Sequence, residues 1–425
     1  MSCGAYQCAT DGVACRVACG TESDCASGNF CRGGTCTPKL ANGTSCNSAS
    51  ECQAGNCVGN ICCNRTCNGT CETCGTGTCT ARTPAKVGSD LRVTTSPNLE
   101  SGNPNIVSTG TSFGLAWQEG IGPIAFRRIS SDGAFTDLSA TTVAAQGEGG
   151  YRPGIVWTGA RFVVVWGDTA VPSGYAILGR AVALDGSVTV GAGEIARLAD
   201  RFYNLATVWH PNRAEVGVAW GDPMLTSFTR ANEFGAGQGG TKIASQNPAT
   251  SVAIAVAPPD GPWAVAWNQD SSSGVFVTRL DALGNRIGMD TFIGLGSSPT
   301  IAWSGSEFGI TWACPSGACF ARMSPQGMKV GMDQLITPGF TSAGLIWNGD
   351  RWITTWIQAA PMPEGVFVGL LDATGAPAGG SVAVTSHLWG SERPRSAWAS
   401  GSIGVTWSDR RDGNFEIYFA RLRCD

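Results

Sequence analysis

The 425-residue chain has a formal net charge of −4 and only 14% charged residues, which excludes the basic surface that nucleic-acid binding requires. It contains no apolar run of about eighteen residues, so the sequence predicts no transmembrane helix. Glycine occurs 59 times without a three-residue period, a composition typical of a protein with many tight turns.

Cysteine divides the chain, because 16 of the 19 cysteines precede residue 80 in a segment with few aliphatic residues. Such a segment cannot rest on a hydrophobic core and needs disulfides or a structural metal. The spacing defines two sub-repeats at about 19–36 and 46–62 and a third knot at 63–79. We favour disulfides because the chain has only two histidines, although Cys71-x-x-Cys74 keeps zinc as an alternative. Residues 1–85 are therefore predicted to form a disulfide-stapled module of an extracellular or cell-surface protein.

The N-terminal residues MSCGAYQC lack the charged and apolar regions of a signal peptide. The cysteine pattern begins abruptly at Cys3, so we expect that an export segment was removed or that the chain is truncated. An odd number of cysteines leaves one unpaired, and Cys3 is the expected one.

Tryptophan recurs seven times, about 48 residues apart, near the end of an apolar strand, at Trp117, Trp166, Trp220, Trp267, Trp312, Trp356 and Trp407. An alternating apolar strand and a short turn precede each copy, as at Trp303, Gly305 and Phe308. A variable loop, a strand ending in apolar-x-Arg in six of the seven copies, a glycine turn and a fourth strand follow. Four strands per repeat of this length indicate a β-propeller blade.

The sequence thus predicts an all-β, seven-bladed propeller over residues 86–425. The seventh copy ends after its third strand, so we expect 89–98 (SDLRVTTSPN) to supply the fourth strand and close the ring. The recurrent Trp and Arg residues are interpreted as packing between blades, because they occupy equivalent positions in most or all copies.

The connections from strand b to strand c, and from strand d to the next strand a, emerge on one face of a propeller. Side chains that suit a sugar ring or a peptide collect there, and Trp389 is distinctive because no other copy has Trp in that loop. A solvated polar rim without a ligand is the alternative. The candidate ligand-binding residues are Trp389, Arg393, Arg395, Tyr151, Arg152, Arg201, Tyr203, Glu119, Asp168, Asp222, Asp270 and Asp409.

We therefore expect a non-enzymatic binding or adhesion protein that recognises a glycan or an extracellular protein. The alternative is a glycan-cleaving enzyme with two carboxylates on the same face, about 5–10 Å apart. No catalytic motif is found, and no catalytic residue, cofactor, nucleic-acid partner or membrane span is predicted. Asp409, Asp412 and Asn414 are a weak calcium candidate, since their spacing is not that of an EF-hand.

Two disulfides are expected near and within the propeller. Cys314 and Cys319 flank a four-residue hairpin turn and are within reach of each other. Cys424 follows the last propeller strand, and we expect it to bond to the end of the cysteine-rich module, at Cys79 or Cys74.

The segments CGTESDCASGNFCRGGTC and CQAGNCVGNICCNRTCNGTCETC resemble the cysteine-rich modules of large extracellular proteins of myxobacterial type. WSDRRDGNFEIYFARL (407–422) resembles the blade repeat attached to those modules. The resemblance implies export and surface residence, and it carries over no catalytic residue.

Overall fold

The structure, a computed structural model, describes residues 3–9, 14–67, 69, 71–96, 99–145, 149–169, 174–189, 191–269, 274–338, 340–358, 364–386 and 390–424, with the backbone alone at 340–343. The chain forms two compact units, Met1–Thr83 with Cys424 and Pro84–Arg423. Among the described residues, none forms a helix with the length and hydropathy that a membrane crossing requires.

The first unit consists of small hairpins whose buried side chains are mostly cysteines. Two single-turn 3-10 helices, Glu22–Asp24 and Ala49–Glu51, precede the first two hairpins. The strands pair in sequence as Asn29–Arg32 with Thr35–Pro38, Cys57–Val58 with Ile61–Cys62, and Glu72–Cys74 with Cys79–Ala81.

The disulfides of this unit interleave within each sub-repeat. Their pairs are Cys19–Cys31 with Cys25–Cys36, Cys46–Cys57 with Cys52–Cys62, and Cys63–Cys74 with Cys67–Cys79. The preference for disulfides over zinc is thus confirmed, because these cysteines are consumed by covalent bonds. So many disulfides suggest an extracellular protein.

Two cysteine assignments from the sequence are corrected. Cys424 is bonded to Cys71 and not to Cys79 or Cys74, because those two lie opposite each other in a hairpin and bond back to Cys67 and Cys63. Cys3 is bonded to Cys15, and the free cysteine is the exposed Cys8. The Cys3–Cys15 separation of 12 residues repeats that of Cys19–Cys31, a regularity that the early cysteines share with the later sub-repeats.

The second unit contains seven four-stranded antiparallel sheets, which is the predicted propeller. In blades one to six, strands a to d run in chain order from the centre outward. The strands of blades one to three are Ser101–Ser108, Ser112–Glu119, Ile124–Ser130 and Thr141–Ala144; Gly150–Trp157, Phe162–Asp168, Tyr175–Val182 and Gly193–Leu198; and Asn204–His210, Glu215–Gly221, Thr226–Asn232 and Gly237–Ser245.

The remaining blades repeat the same order. Blades four to six are Ser251–Val256, Trp263–Asn268, Val275–Leu280 and Arg286–Gly294; Ser297–Trp303, Phe308–Cys314, Gly317–Met323 and Lys329–Thr337; and Phe340–Trp347, Trp352–Gln358, Gly365–Leu371 and Val382–Ala383. Blade seven is Glu392–Ala399, Ser402–Asp409, Glu416–Arg423 and, from the start of the unit, Ala85–Arg92. In blade five, Cys314 and Cys319 are bonded to each other across the turn between strands b and c.

The strand that closes the ring begins four residues earlier than the predicted 89–98. Ala85–Arg92 pairs antiparallel with Glu416–Arg423. One residue beyond this strand, the Val93 N–H donates to the Ile417 carbonyl at 2.8 Å. The pairing therefore extends to Val93, which lies within the predicted 89–98. The expected closure by an N-terminal strand is therefore confirmed.

The seven recurrent Trp residues on strand b are all buried, with at most 2% of each exposed. Each ring of this size removes roughly 150–250 Å² of mostly apolar surface from water. Their interpretation as packing residues is confirmed. Their burial fixes strand b as the centre of each blade.

Four of the seams between blades place an aromatic ring of one blade directly over a glycine of its neighbour. A methyl group added at Gly114 would overlap Phe162, and one added at Gly217 would overlap Trp263. The same holds for Gly309 under Trp352 and for Gly404 under Phe113. Each of these glycines lies one or two residues after the first residue of strand b. The neighbouring ring fits there because glycine has no side chain.

We predict that Gly217→Ala lowers the free energy of unfolding by about 1–3 kcal/mol, because the added methyl group overpacks the seam against Trp263. Gly102→Ala is the matched control, since nothing lies within 4 Å of a methyl group there. Thermal and denaturant unfolding of the two variants checks the expectation. Equal stability of both would show that the seams tolerate extra volume.

The Cys71–Cys424 bond has a sequence separation of 353 residues, and we predict that Cys424→Ser lowers the free energy of unfolding by up to about 5 kcal/mol in the chain-entropy model. The double variant Cys314→Ser/Cys319→Ser removes a bond with a separation of only 5 residues and should cost about 2 kcal/mol. Melting temperatures measured without reductant compare the two. A larger loss for the short loop would contradict the loop-length argument.

Candidate functional site

The innermost strands of the seven blades surround a central channel with a volume of about 1050 Å³. Each strand a contacts the strand a of the next blade, so the channel wall is continuous. Its middle is apolar, as at Ile106, Ile155 and Ile301, whereas polar residues collect where the strands begin. We call this end the channel mouth and define it by Arg152, Asn204, Ser298, Glu392, Arg393, Arg395 and the flanking Ser391 and Ser396.

A β-bulge positions the mouth residues. In four blades, strand a opens with a bulge in which a residue with positive φ precedes proline, at Asn103, Arg152, Ser298 and Arg393, with φ between 50° and 54°. Positive φ is uncommon for non-glycine residues, and bulges re-aim side chains near functional sites. Arg152 and Arg393 thus reach the same end of the channel from two different blades.

The bulge at Arg152 is held by a side chain of the neighbouring blade. The Gln118 Oε1 atom accepts hydrogen bonds from the Arg152 backbone N–H at 3.2 Å and from the Asn103 Nδ2 at 3.0 Å. Tyr151 stacks on Phe202 with ring centroids 4.8 Å apart. These contacts fix the backbone on which the Arg152 guanidinium is carried.

Blade seven departs from the pattern of the channel wall. Its Arg395 pairs with Thr406 and its Ser396 with Val405 in the sheet. The equivalent pairs of residues in blades one, two, five and six consist of a small or polar residue followed by Ile or Leu: Asn105 and Ile106, Gly154 and Ile155, Thr300 and Ile301, and Gly344 and Leu345. Blade seven therefore has Ser396 in place of the apolar residue and Arg395 in place of the small or polar residue before it.

Positive charge is concentrated at the mouth although the chain as a whole is negative. Among the described residues, those with charge that line the channel are Arg152, Arg393 and Arg395, with Glu392 as the one acid. Burial, and then the charge of Arg393, lowers the pKa of Arg395 to about 10 and also lowers the pKa of Arg152. With a pKa of about 10, the Arg395 guanidinium stays charged at neutral pH.

These guanidinium groups have few protein partners. Within the described part of the chain, those of Arg152 and Arg393 make no ion pair or hydrogen bond, and Arg395 donates from Nη1 to the Pro394 carbonyl at 3.0 Å. Arg152, Arg393 and Arg395 are the three candidates from the sequence that line the channel.

Two of the predicted acids have structural partners instead. Glu119 accepts hydrogen bonds from Trp117 Nε1 at 2.5 Å and from the Ser101 hydroxyl at 2.7 Å. Asp409 is fully buried, accepts from Trp407 Nε1 at 2.8 Å and is paired with Arg411 at 2.6 Å. Both carboxylates satisfy the indole N–H of the strand-b Trp two residues before them.

The other described candidates do not line the channel. Asp168 is buried within strand b, and Asp222 accepts hydrogen bonds from the backbone N–H groups of Met224 and Leu225 in a turn. Arg201 is exposed, with its guanidinium 5.8 Å from the Tyr203 ring centre. Trp389 and Asp270 lie outside the described residues, and their roles stay predictions.

The three residues of the weak calcium candidate are engaged with protein groups. Asp412 is 3.1 Å from Arg92 Nη1 and accepts a hydrogen bond from the Tyr418 hydroxyl. Asn414 donates from Nδ2 to the Ser96 and Leu99 carbonyls at 2.7 and 2.9 Å, and Asp409 is the buried partner of Arg411. In this structure the three residues hold the loop that follows strand b of blade seven.

Sequence reasoning did not identify Asn204, Ser298, Ser391 or Ser396 as site residues. The signal that could have found part of this set is the recurring tripeptide around proline at the start of strand a, seen as GNPNI, YRPGI, SSPTI and ERPRS. The last of these breaks the apolar pattern that the other three keep.

No family model matches the sequence, so none supports the resemblance to myxobacterial proteins, and no curated protein is significantly similar to it. A solved structure from an analysis of two prolyl endopeptidases is similar over 75% of this chain, with 11% identity and a TM-score of 0.44. The match covers 48% of that chain, so the present chain spans about half of its length. A likeness of this size does not bear on activity.

We predict that Asp409→Ala lowers the free energy of unfolding by about 3 kcal/mol, because it strips partners from a buried indole and from Arg411. Asp222→Ala, which removes only an acceptor for turn N–H groups, should cost about 1 kcal/mol. Chemical denaturation of both variants checks the difference. An Asp409→Ala variant as stable as wild type would contradict a structural role for the Asp409 carboxylate and make it a ligand-binding candidate again.

Proposed function

We propose that the protein is an extracellular, non-enzymatic binding protein that recognises a glycan at the channel mouth. The observation that carries this proposal is the mouth itself, where polar side chains from several blades meet around charged groups that have few protein partners in the described chain. The channel volume of about 1050 Å³ is at the upper end of the range of ligand pockets, roughly 300–1,000 Å³.

The mixture of groups at the mouth is suited to a hydroxylated ligand. Asn204 and Ser298 offer neutral hydrogen-bonding side chains, and the arginines offer planar sets of N–H donors. The apolar wall beyond them provides a surface for the carbon skeleton of the same ligand. A protein ligand is the other outcome that the test below distinguishes.

The engagement of the predicted acids supports a binding role over glycan cleavage. Glu119 and Asp409 are committed to indole N–H groups and, for Asp409, to Arg411. His210, which is 1% exposed, packs edge-on against Trp263, and burial lowers its pKa so that it is neutral at pH 7. These side chains maintain the fold. In the described channel, the groups that remain available to a ligand are the mouth arginines.

The test is binding of the full chain to an array of immobilised glycans, with and without a steric block in the mouth. We expect wild type to bind a subset of the array and Asn204→Trp to lose that binding, because the indole would fill the mouth. Ala160→Trp is the matched control, since it adds the same group at an exposed turn between strands a and b, on the opposite face. Both variants should melt within a few degrees of wild type.

Binding retained by Asn204→Trp would place the recognition site away from the channel mouth. An array without any bound glycan, together with capture of a defined extracellular protein that Asn204→Trp abolishes, would replace the glycan with a protein ligand. Hydrolysis of an arrayed glycan by wild type would contradict the non-enzymatic role.

A further inference from the structure

We propose, resting on the glycan-binding function above, that the channel mouth is a carboxylate receptor in which Arg152, Arg393 and Arg395 bind the uronic acid residues of an acidic glycan. The proposal follows from the charge of the mouth, from its unpartnered groups and from the chemistry of the arginine side chain.

The charge balance of the mouth calls for an anion. Among the described residues, three arginines and one glutamate leave a surplus of two positive charges in the wall of a channel within a chain of net charge −4. Like charges in a partly desolvated site repel one another, and burying a charge without a partner is unfavourable. An oligouronate carries one carboxylate on each successive sugar, so a disaccharide supplies two negative charges.

The arginines are held ready for such a ligand. Arg152 and Arg393 occupy equivalent bulge positions with φ of 51° and 50°, and Arg395 follows two residues after Arg393 in the same strand. Burial, and then the charge of Arg393, lowers the pKa of Arg395 and that of Arg152. A guanidinium binds a carboxylate through two parallel hydrogen bonds, so this residue type suits the planar anion.

Unpartnered hydroxyl groups lie beside the arginines. Ser391 and Ser396 are each 7% exposed and line the channel, and within the described chain their Oγ atoms have no hydrogen-bond partner. Buried polar groups in folded proteins are almost always satisfied, so an unpaired pair next to a charged cluster marks a place where a partner is missing. A sugar acid brings hydroxyl groups together with its carboxylate, which an inorganic anion does not.

The experiment is isothermal titration of the full chain with digalacturonate, with the neutral digalactose, with monomeric galacturonate and with the dipeptide Glu-Glu. We expect digalacturonate to bind at least tenfold more tightly than digalactose, with an affinity that falls as salt is raised. Arg393→Gln and Arg395→Gln should each weaken digalacturonate binding at least tenfold. Arg201→Gln is the matched control, because Arg201 is exposed and does not line the channel.

The melting temperature supplies a second readout that a merely structural arginine would not give. Because Arg393 repels its neighbours and makes no ion pair within the described chain, Arg393→Gln should melt at or above the wild-type temperature without ligand. Digalacturonate should raise the melting temperature of wild type and leave that of Arg393→Gln unchanged. A lower melting temperature for Arg393→Gln in the absence of ligand would contradict the repulsion argument.

The outcomes separate this proposal from the function on which it rests. Equal binding of digalacturonate and digalactose, both lost in Asn204→Trp, would keep the glycan-binding function and overturn the carboxylate receptor. Tighter binding of Glu-Glu than of digalacturonate would assign the mouth to an acidic peptide and overturn the uronate. Monomeric galacturonate binding as tightly as the dimer supports the receptor and assigns it a free sugar acid or a chain end.

Discussion

The ring of blades depends on the pairing of Ala85–Arg92 with Glu416–Arg423. A blade of three strands would leave an open edge, and the last blade would present its unpaired groups to other chains. The closure is reinforced by a buried carboxylate: Glu416 is 0% exposed and accepts from Arg92 Nη2 and the Ser96 N–H, each at 2.9 Å. Asp90, in the closing strand, is 2.6 Å from Arg411 Nη1. Closure is thus specified by polar groups as well as by backbone pairing.

At the seams between blades, glycine and a larger residue alternate from one blade to the next. Because the number of blades is odd, two glycine-bearing blades, seven and one, are neighbours. Strand b of blades one, three, five and seven carries glycine where blades two, four and six carry Val163, Ala264 and Ile353. Large rings of the even blades therefore cover glycines of the odd ones, and blade one covers blade seven with Phe113. The Arg residues of strand c differ in their partners. Arg230 and Arg322 pair with acids of their own blade, as does Arg128. Arg279 and Arg421 donate to carbonyls of the next blade, and Arg180 donates to the Val143 carbonyl of the preceding one.

The blade count, the strand order and the closing strand could all be predicted. Each blade needs the same buried ring on strand b, so Trp recurs about 48 residues apart in the sequence. The partner of Cys424 could not be predicted, because disulfide connectivity depends on which cysteines face each other in the folded chain. The sequence does not show that Cys74 and Cys79 lie opposite each other in a hairpin and that Cys71 bonds to Cys424. Of the residues that the sequence predicted on the face of the b–c and d–a connections, Arg152, Arg393 and Arg395 line the channel, whereas the other described candidates lie elsewhere. Glu119 and Asp409 were chosen as free acids because the sequence does not show that an indole N–H lies within reach.

In the sequence, Arg393 and Arg395 follow closely after Trp389 in the connection to blade seven. What places Arg393 in the channel wall is the bulge before Pro394. A departure from a repeat is more informative than the repeat itself in such a chain. In strand a, blades one, two, five and six carry Ile or Leu where blade seven carries Ser396, and packing does not require the hydroxyl there.

The bond between Cys71 and Cys424 makes the polypeptide between them a covalent macrocycle. A protease that cuts once in any loop of this segment opens the cycle but releases no fragment, since both new ends stay attached through the disulfide. Strands on either side of the cut remain tethered and can re-form their sheets. In surroundings that contain proteases, a single cleavage therefore leaves the domain attached and able to re-form its sheets, and its release requires two cuts or a reductant.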